Sequence, residues 1–290
     1  GSRGLGDVYK RQEYHRGNYN GTIEALNAVS TYIRDIPEKY LVLMLGNLCA
    51  NIDLTEPITQ HKRSGAEITA ICADHTPAQS HHRYVLGEDG FVTQALFDRT
   101  DEGEGIPSLE GYVINKETLL KMMDDCKAKS LYRFHKDALT AFLAQGGKMD
   151  AYIHRGYAVA IRSVEAYYKS SMDMLKPECR RDIFPADRPV RTKVHEEVST
   201  YYGETAVSRN SLVADNCKIE GEIENCIIFS GARIEKGAKL RNCIVMRGGH
   251  IGEGAELDCI IADKYCTFSA DTVLTGNAKL PVVVPKGSSI

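Results

Sequence analysis

The apolar positions of this chain follow two different periods. Over residues 22–33, Ile23, Leu26, Ala28, Val29 and Tyr32 recur at about 3.6 residues, which predicts a helix. Next comes Tyr40-Leu41-Val42-Leu43-Met44-Leu45, an unbroken apolar run closed by Gly46. That pattern predicts a strand buried on both faces in a parallel sheet. Further strands are expected over 67–72 and 112–114, and helices over 116–126, 137–145 and 164–174. Alternating elements of this kind imply a layered α/β domain.

From Pro177 to Ser208 the pattern breaks. Pro177, Pro185 and Pro189 are expected to interrupt any helix, and Arg180, Arg181, Arg188 and Arg191 make the stretch basic. It reads as a connector.

After Ser208 a repeat sets in. Asn225-Cys226-Ile227-Ile228, Asn242-Cys243-Ile244-Val245 and Asp258-Cys259-Ile260-Ile261 recur 17 and 16 residues apart. An aliphatic residue is followed four positions later by a small one in Val213/Cys217, Ile228/Ala232, Ile234/Ala238 and Ile251/Ala255. Hexads of this type build a parallel β-helix, with the aliphatic residue inward on a strand and the small one at a crowded corner. Cys217, Cys226, Cys243, Cys259 and Cys266 are therefore expected to act as compact buried hydrophobes.

Composition narrows the function class. A formal net charge of −3 gives no electrostatic reason to expect nucleic acid or a membrane surface as partner, and no apolar run is long enough to span a bilayer. Nine cysteines without a C-x-x-C pair suit free thiols in a reducing cytosol rather than a disulfide framework or zinc ribbon. Residues 1–12 show no hydrophobic periodicity. Their Gly4-Leu5-Gly6 follows no strand, so it does not make a phosphate loop, and the stretch reads as a non-native leader.

Several segments, in order, resemble one family. Asn18-Tyr19-Asn20-Gly21-Thr22-Ile23-Glu24-Ala25 resembles W-Y-x-G-T-A-D-A, and Gly46-Asn47-Leu48-Cys49-Ala50-Asn51-Ile52-Asp53-Leu54 lines up with G-D-H-I-Y-K-M-D-Y. Ser108-Leu109-Glu110-Gly111-Tyr112-Val113-Ile114 is similar to S-M-G-I-Y-V-F. The stretch from Ala158 to Tyr168 resembles W-R-D-V-G-T-x-x-A-Y-W, and Arg188-Pro189-Val190-Arg191-Thr192 resembles W-P-I-R-T. These are motifs of bacterial glucose-1-phosphate adenylyltransferases. The resemblance implies a Rossmann-like nucleotidyltransferase domain over 13–176, lacking its N-terminal strands, a linker over 177–208 and a left-handed hexapeptide β-helix over 209–290. With those early strands missing, the run 40–45 would lie at or near a sheet edge.

The departures from the family pattern point to a role without catalysis. Nucleotidyl transfer needs Mg²⁺ held by carboxylates. The family's two metal aspartates fall here on Asn47 and Ala160, and its sugar-phosphate lysine on Asp98. The glycine-rich phosphate loop is not matched. The resemblance is therefore to the GlgD-type auxiliary subunit. It implies no catalytic residue, metal or cofactor in this chain, with Mg²⁺ in a catalytic partner subunit of a cytoplasmic hetero-oligomer, a tetramer. Vestigial substrate contacts would be Gly21, Thr22, Glu24, Asp53, Glu110, Gly111 and Tyr112, and an anionic effector would meet Arg188 and Arg191.

Structural readings stand beside these. Thr22 and Glu24 also suit a helix start, and Asp53 a turn cap. His81, His82 and His135 have no third ligand near in sequence and are expected in solvated segments. Two other functions stay open: an active sugar-phosphate nucleotidyltransferase, and a hexapeptide acyltransferase, for which His250 is the one histidine inside the repeats.

Overall fold

The computed structural model describes residues 19–74, 82–98, 103–192 and 196–290. It divides into two compact units, Gly1–Gly46 with Ile52–Arg155, and Asn47–Asn51 with Gly156–Ile290.

The first unit is built on a mixed sheet. Its strands are β1 (Tyr40–Leu43), β3 (Ile68–Ala73), β4 (His82–Leu86), β5 (Val92–Phe97), β6 (Ile106–Asn115) and β7 (Met149–His154); β2 (Leu48–Ala50) and β8 (Ala158–Ala160) belong to the second unit. The order is β5-β4-β6-β3-β7, and β1 pairs with β6 beyond the end of β4. Only β3 and β7 run parallel; the other pairings are antiparallel.

This corrects the reading of the first apolar run. Tyr40–Leu43 is an antiparallel strand with Tyr40 exposed and the rest half-buried, and among the described residues it pairs with β6 alone. The expectation of an edge position thus fits the described pairing, whereas that of two buried faces in a parallel sheet does not. The strand buried along its whole length is β3, between β6 and β7. Residues 1–12, where no strand was expected, lie outside the described residues.

Two helices also differ from the periodicity. The segment 22–33 breaks into Thr22–Ala28 and Ser30–Asp35 at Val29, whose φ of −109° and ψ of 14° leave the helical region. The segment 137–145 is a π-helix, Phe134–Leu139, continued by the α-helix Thr140–Ala144. Lys116–Ala128 packs Leu119, Met122, Met123 and Cys126 into the core beside Ile68, Tyr84, Tyr112 and Phe134.

In the second unit, β2 and β8 form a short antiparallel ladder. Ser163 caps the helix Val164–Asp173, its hydroxyl accepting from the Ala166 N–H at 3.0 Å. Pro177 does not interrupt a helix. It opens one, Pro177–Ile183, because a first-turn residue has no intrahelical use for an N–H. The β-helix then stacks three parallel five-stranded sheets. Its first strand is Tyr201–Tyr202, which pairs with Lys218–Ile219 inside the stretch read as connector.

The hexads hold as predicted. Ile219, Ile234, Ile251 and Phe268 stack on one wall; Ile223, Leu240 and Leu257 stack on the next, all fully buried. Cys217, Ala232, Ala238 and Ala255 are buried at corners. Asn210, Asn225 and Asn242 turn one corner with φ between 41° and 52°, a region asparagine tolerates better than most residues. Their side chains form a ladder: Asn210 Nδ2 donates to Asn225 Oδ1 at 2.7 Å, and Asn242 Nδ2 to Asp258 Oδ1 at 2.9 Å. The N-C-I-I repeat is therefore a turn asparagine, a buried corner cysteine and an inward strand.

Candidate functional site

Asn47 and Ala160, the residues expected at the family's metal-aspartate positions, both lie in the second unit. Leu48 is the register partner of Ala160, so Asn47 stands beside Ile161 at the end of that ladder. The Asn47 carbonyl accepts from the Ile161 N–H at 2.8 Å, and the Asn47 side-chain amide donates to the Ile161 carbonyl at 3.0 Å. A magnesium ion does not fit this pair. The Asn47 amide nitrogen is turned to a carbonyl, and Ala160 is a buried methyl with no ligand atom.

Gly21, Thr22, Glu24, Asp53, Asp98, Glu110, Gly111 and Tyr112 lie in the first unit, and several of them gather around the π-helix. A side chain at Gly21 would place its Cβ 2.3 Å from the Tyr132 carbonyl, and that same carbonyl accepts from the Ile23 N–H at 2.9 Å. Thr22 starts the helix without capping it, since Gly21 is the cap residue and makes no side-chain bond. Glu24 reaches back to the Asn20 N–H at 2.6 Å, as a first-turn carboxylate does. Asp53 accepts from the Thr55 N–H at 2.9 Å, the turn-capping geometry that competed with a substrate contact.

Strand β6 supplies the centre of the group. Its pairing with β3 skips from Gly111 to Ser108, so Leu109 and Glu110 form a bulge, with Glu110 at φ 53°. A bulge re-aims a side chain, and here Glu110 is turned between His82 and His135. Its Oε1 lies 3.8 Å from His82 Nε2 and its Oε2 lies 3.7 Å from His135 Nε2. At Gly111 a Cβ would meet Met44 Sδ at 2.6 Å. Tyr112 is buried, its hydroxyl 2.6 Å from that of Tyr84; burial pushes both phenols up, so they stay neutral. Asp98, the residue expected at the sugar-phosphate lysine position, pairs with Lys136 of the π-helix.

The histidines are thus not in solvated segments. His82 is buried on β4 and His135 largely covered on the π-helix, and their rings are 4.4 Å apart. Sequence spacing hid them because their partner Glu110 comes from a third element; His81 lies outside the described residues. The Tyr84–Tyr112 pair carried no sequence signal. Arg188 donates from Nε to Asn51 Oδ1 at 3.3 Å and pairs with Asp187, whereas Arg191 is exposed. On the β-helix, His250 Nε2 sits 3.1 Å from Glu235 Oε1.

The chain thus joins a Rossmann-like α/β unit with a mixed sheet to a parallel hexapeptide β-helix. The family described as GlmU-like, C-terminal hexapeptide, matches residues 194–280. The chain resembles the glucose-1-phosphate adenylyltransferase family and its GlgD-type member. It is 37% identical over 225 residues to the glycogen biosynthesis protein GlgD of Bacillus subtilis (strain 168), covering 78% of this chain and 64% of that protein. It is 25% identical to glucose-1-phosphate adenylyltransferases of Clostridium botulinum (strain Alaska E43 / Type E3) and Acetivibrio thermocellus, covering 79% of this chain and 61% and 54% of theirs. The chain therefore spans between 54% and 64% of the length of these relatives. No helix among the described residues is long and apolar enough to cross a membrane.

Proposed function

We propose that this chain serves glycogen biosynthesis as a non-catalytic auxiliary subunit of glucose-1-phosphate adenylyltransferase. In this reading it assembles in the cytosol with a catalytic homologue into a hetero-oligomer, and the partner holds the Mg²⁺. The observation that carries the reading is the Asn47–Ile161 corner. Asn47 and Ala160, which motif order matches to the metal-holding positions of the resembled enzymes, offer no carboxylate, and the Asn47 amide donates to a backbone carbonyl. Adenylyl transfer without that ion would leave the charge on the attacking phosphate unneutralised. The likeness to GlgD, higher in identity than that to the adenylyltransferases, supports the same reading.

On this reading Gly21, Thr22, Glu24, Asp53, Glu110, Gly111 and Tyr112 are remnants of a substrate site. Arg188 and Arg191 offer guanidinium groups to an anionic effector. The test is ADP-glucose formation from ATP and glucose 1-phosphate, with the chain alone and mixed with a catalytic homologue. Alone it should form no product; mixed, it should co-elute with the homologue and change its KM or effector response. Product formed by the chain alone and abolished by Asn47→Ala would overturn the proposal.

A further inference from the structure

We propose that His82, Glu110 and His135 bind a divalent transition-metal ion of the zinc class. The three residues come from three elements, β4, the β6 bulge and the π-helix, and one ligand atom from each lies within 4.8 Å of the others. Each carboxylate oxygen of Glu110 faces its own imidazole, at 3.8 and 3.7 Å. Those separations exceed a direct N–H···O bond of about 2.7–3.2 Å. They come close to the edge of a coordination polyhedron, because zinc with bonds of about 2.0–2.2 Å sets neighbouring ligand atoms roughly 3.4 Å apart.

Electrostatics favours a cation there. The Glu110 side chain is only 6% exposed, and its carboxylate faces two imidazoles, a negative group beside two neutral nitrogen donors. Two protonated imidazoles with centroids 4.4 Å apart would repel each other, whereas two neutral ones with a metal between them would not. The donor set of two imidazoles and one carboxylate selects zinc, cobalt or their neighbours over magnesium and calcium, which prefer oxygen.

The backbone is shaped around the same point. The bulge and the left-handed φ of 53° turn Glu110 inward, and Ser108 Oγ accepts from its N–H at 2.9 Å. π-Helical turns recur at functional sites, and this one carries His135. Phe97, Tyr112 and Phe134 pack around the histidine rings at 5.1–6.2 Å among themselves and with them, giving the dry surround that strengthens a metal site. Three protein ligands leave a fourth position for water or a ligand oxygen.

The test is Co(II) titration of the full chain after EDTA treatment and dialysis, followed in the visible spectrum. One Co(II) per chain should bind with d–d bands and no thiolate charge-transfer band, and Zn(II) but not Mg²⁺ should displace it. His82→Ala and Glu110→Gln should each weaken binding by at least about tenfold. His135→Gln, at the most accessible of the three positions, should do the same with the far-UV circular dichroism unchanged. Zn(II) should also raise the Tm of the wild-type chain and not that of His135→Gln. No Co(II) binding by the folded wild-type chain, a thiolate band showing cysteine ligation, or full binding by folded His135→Gln would each overturn the site.

Discussion

Asn47 bonds both backbone polar groups of Ile161, its carbonyl accepting from the N–H at 2.8 Å and its side-chain amide donating to the carbonyl at 3.0 Å. The side-chain amide thus does what a carboxylate at this position could not. Asn47→Asp would set a carboxylate oxygen against the Ile161 carbonyl and lose the donor, whereas Asn47→Ala only loses the bond. Asn47→Asp should therefore be the more destabilising, by about 0.5–1.5 kcal/mol in urea unfolding at neutral pH. Equal midpoints for the two variants would show that the amide bond contributes nothing in solution.

The corner cysteines give a second expectation. Cys217 is 4% exposed beneath Phe229, whose carbonyl lies 3.3 Å from its sulfur, whereas Cys49 and Cys179 are half-buried. A thiol reagent should label Cys49 and Cys179 well before Cys217 in the native chain. Cys217→Arg should cost at least ~3 kcal/mol, because it would bury a charge in an apolar corner without a counter-ion. Prompt native-state labelling of Cys217 would mean that the hexads are out of phase with the coil.

How much of this was legible in the sequence depends on the range of the interactions. The β-helix was readable because each coil repeats its neighbour, so Ile228 and Ala232 or Ile251 and Ala255 announce strand and corner within five residues. The mixed sheet was not, because its order depends on pairings across tens of residues. The more apolar Tyr40–Leu43 lies on the flank of β6, while the fully buried β3 contains Thr69, Ala70 and Cys72 and looks less hydrophobic. Motif order alone suggested Asn47 and Ala160 as the metal positions, and in the structure both sit at the short β2–β8 ladder, where Leu48 pairs with Ala160. The His82–Glu110–His135 cluster escaped because its 28- and 25-residue spacings match no local ligand motif, and only a bulge aims Glu110 at both rings.

Two glycines in the candidate site should respond differently to the same methyl group. At Gly21 the added Cβ would lie 2.3 Å from a backbone carbonyl, that of Tyr132, which already receives the Ile23 N–H. At Gly111 its nearest neighbour is the far end of the flexible Met44 side chain, with Ile71 next at 3.2 Å. Gly111→Ala should cost about 1–3 kcal/mol as an overpacking change, and Gly21→Ala should cost more because backbone must shift. Thermal or urea unfolding of the two variants decides the ranking, and the reverse order would contradict the close approach at Tyr132.

The last expectation concerns acid. Asp137 sits in the first turn of the π-helix that carries His135. Partial burial would push its carboxyl up, but the Arg133 and Tyr132 N–H groups, at 2.9 and 3.2 Å, together with the Arg133 guanidinium, hold it below the ordinary aspartate value. A carboxyl with a lower pKa in the folded than in the unfolded chain stabilises the fold at every pH above its unfolded value. That stability is lost as the pH falls through the folded value. At neutral pH, Asp137→Asn should therefore lower stability by about 1 kcal/mol, since a neutral amide accepts these bonds more weakly. The difference should shrink steadily once the pH drops below the ordinary aspartate value, because the wild-type carboxyl is then becoming neutral as well. Urea midpoints of both proteins across an acid pH series measure it. A gap that stays constant down to the lowest pH would show that Asp137 acts through packing and not through its charge.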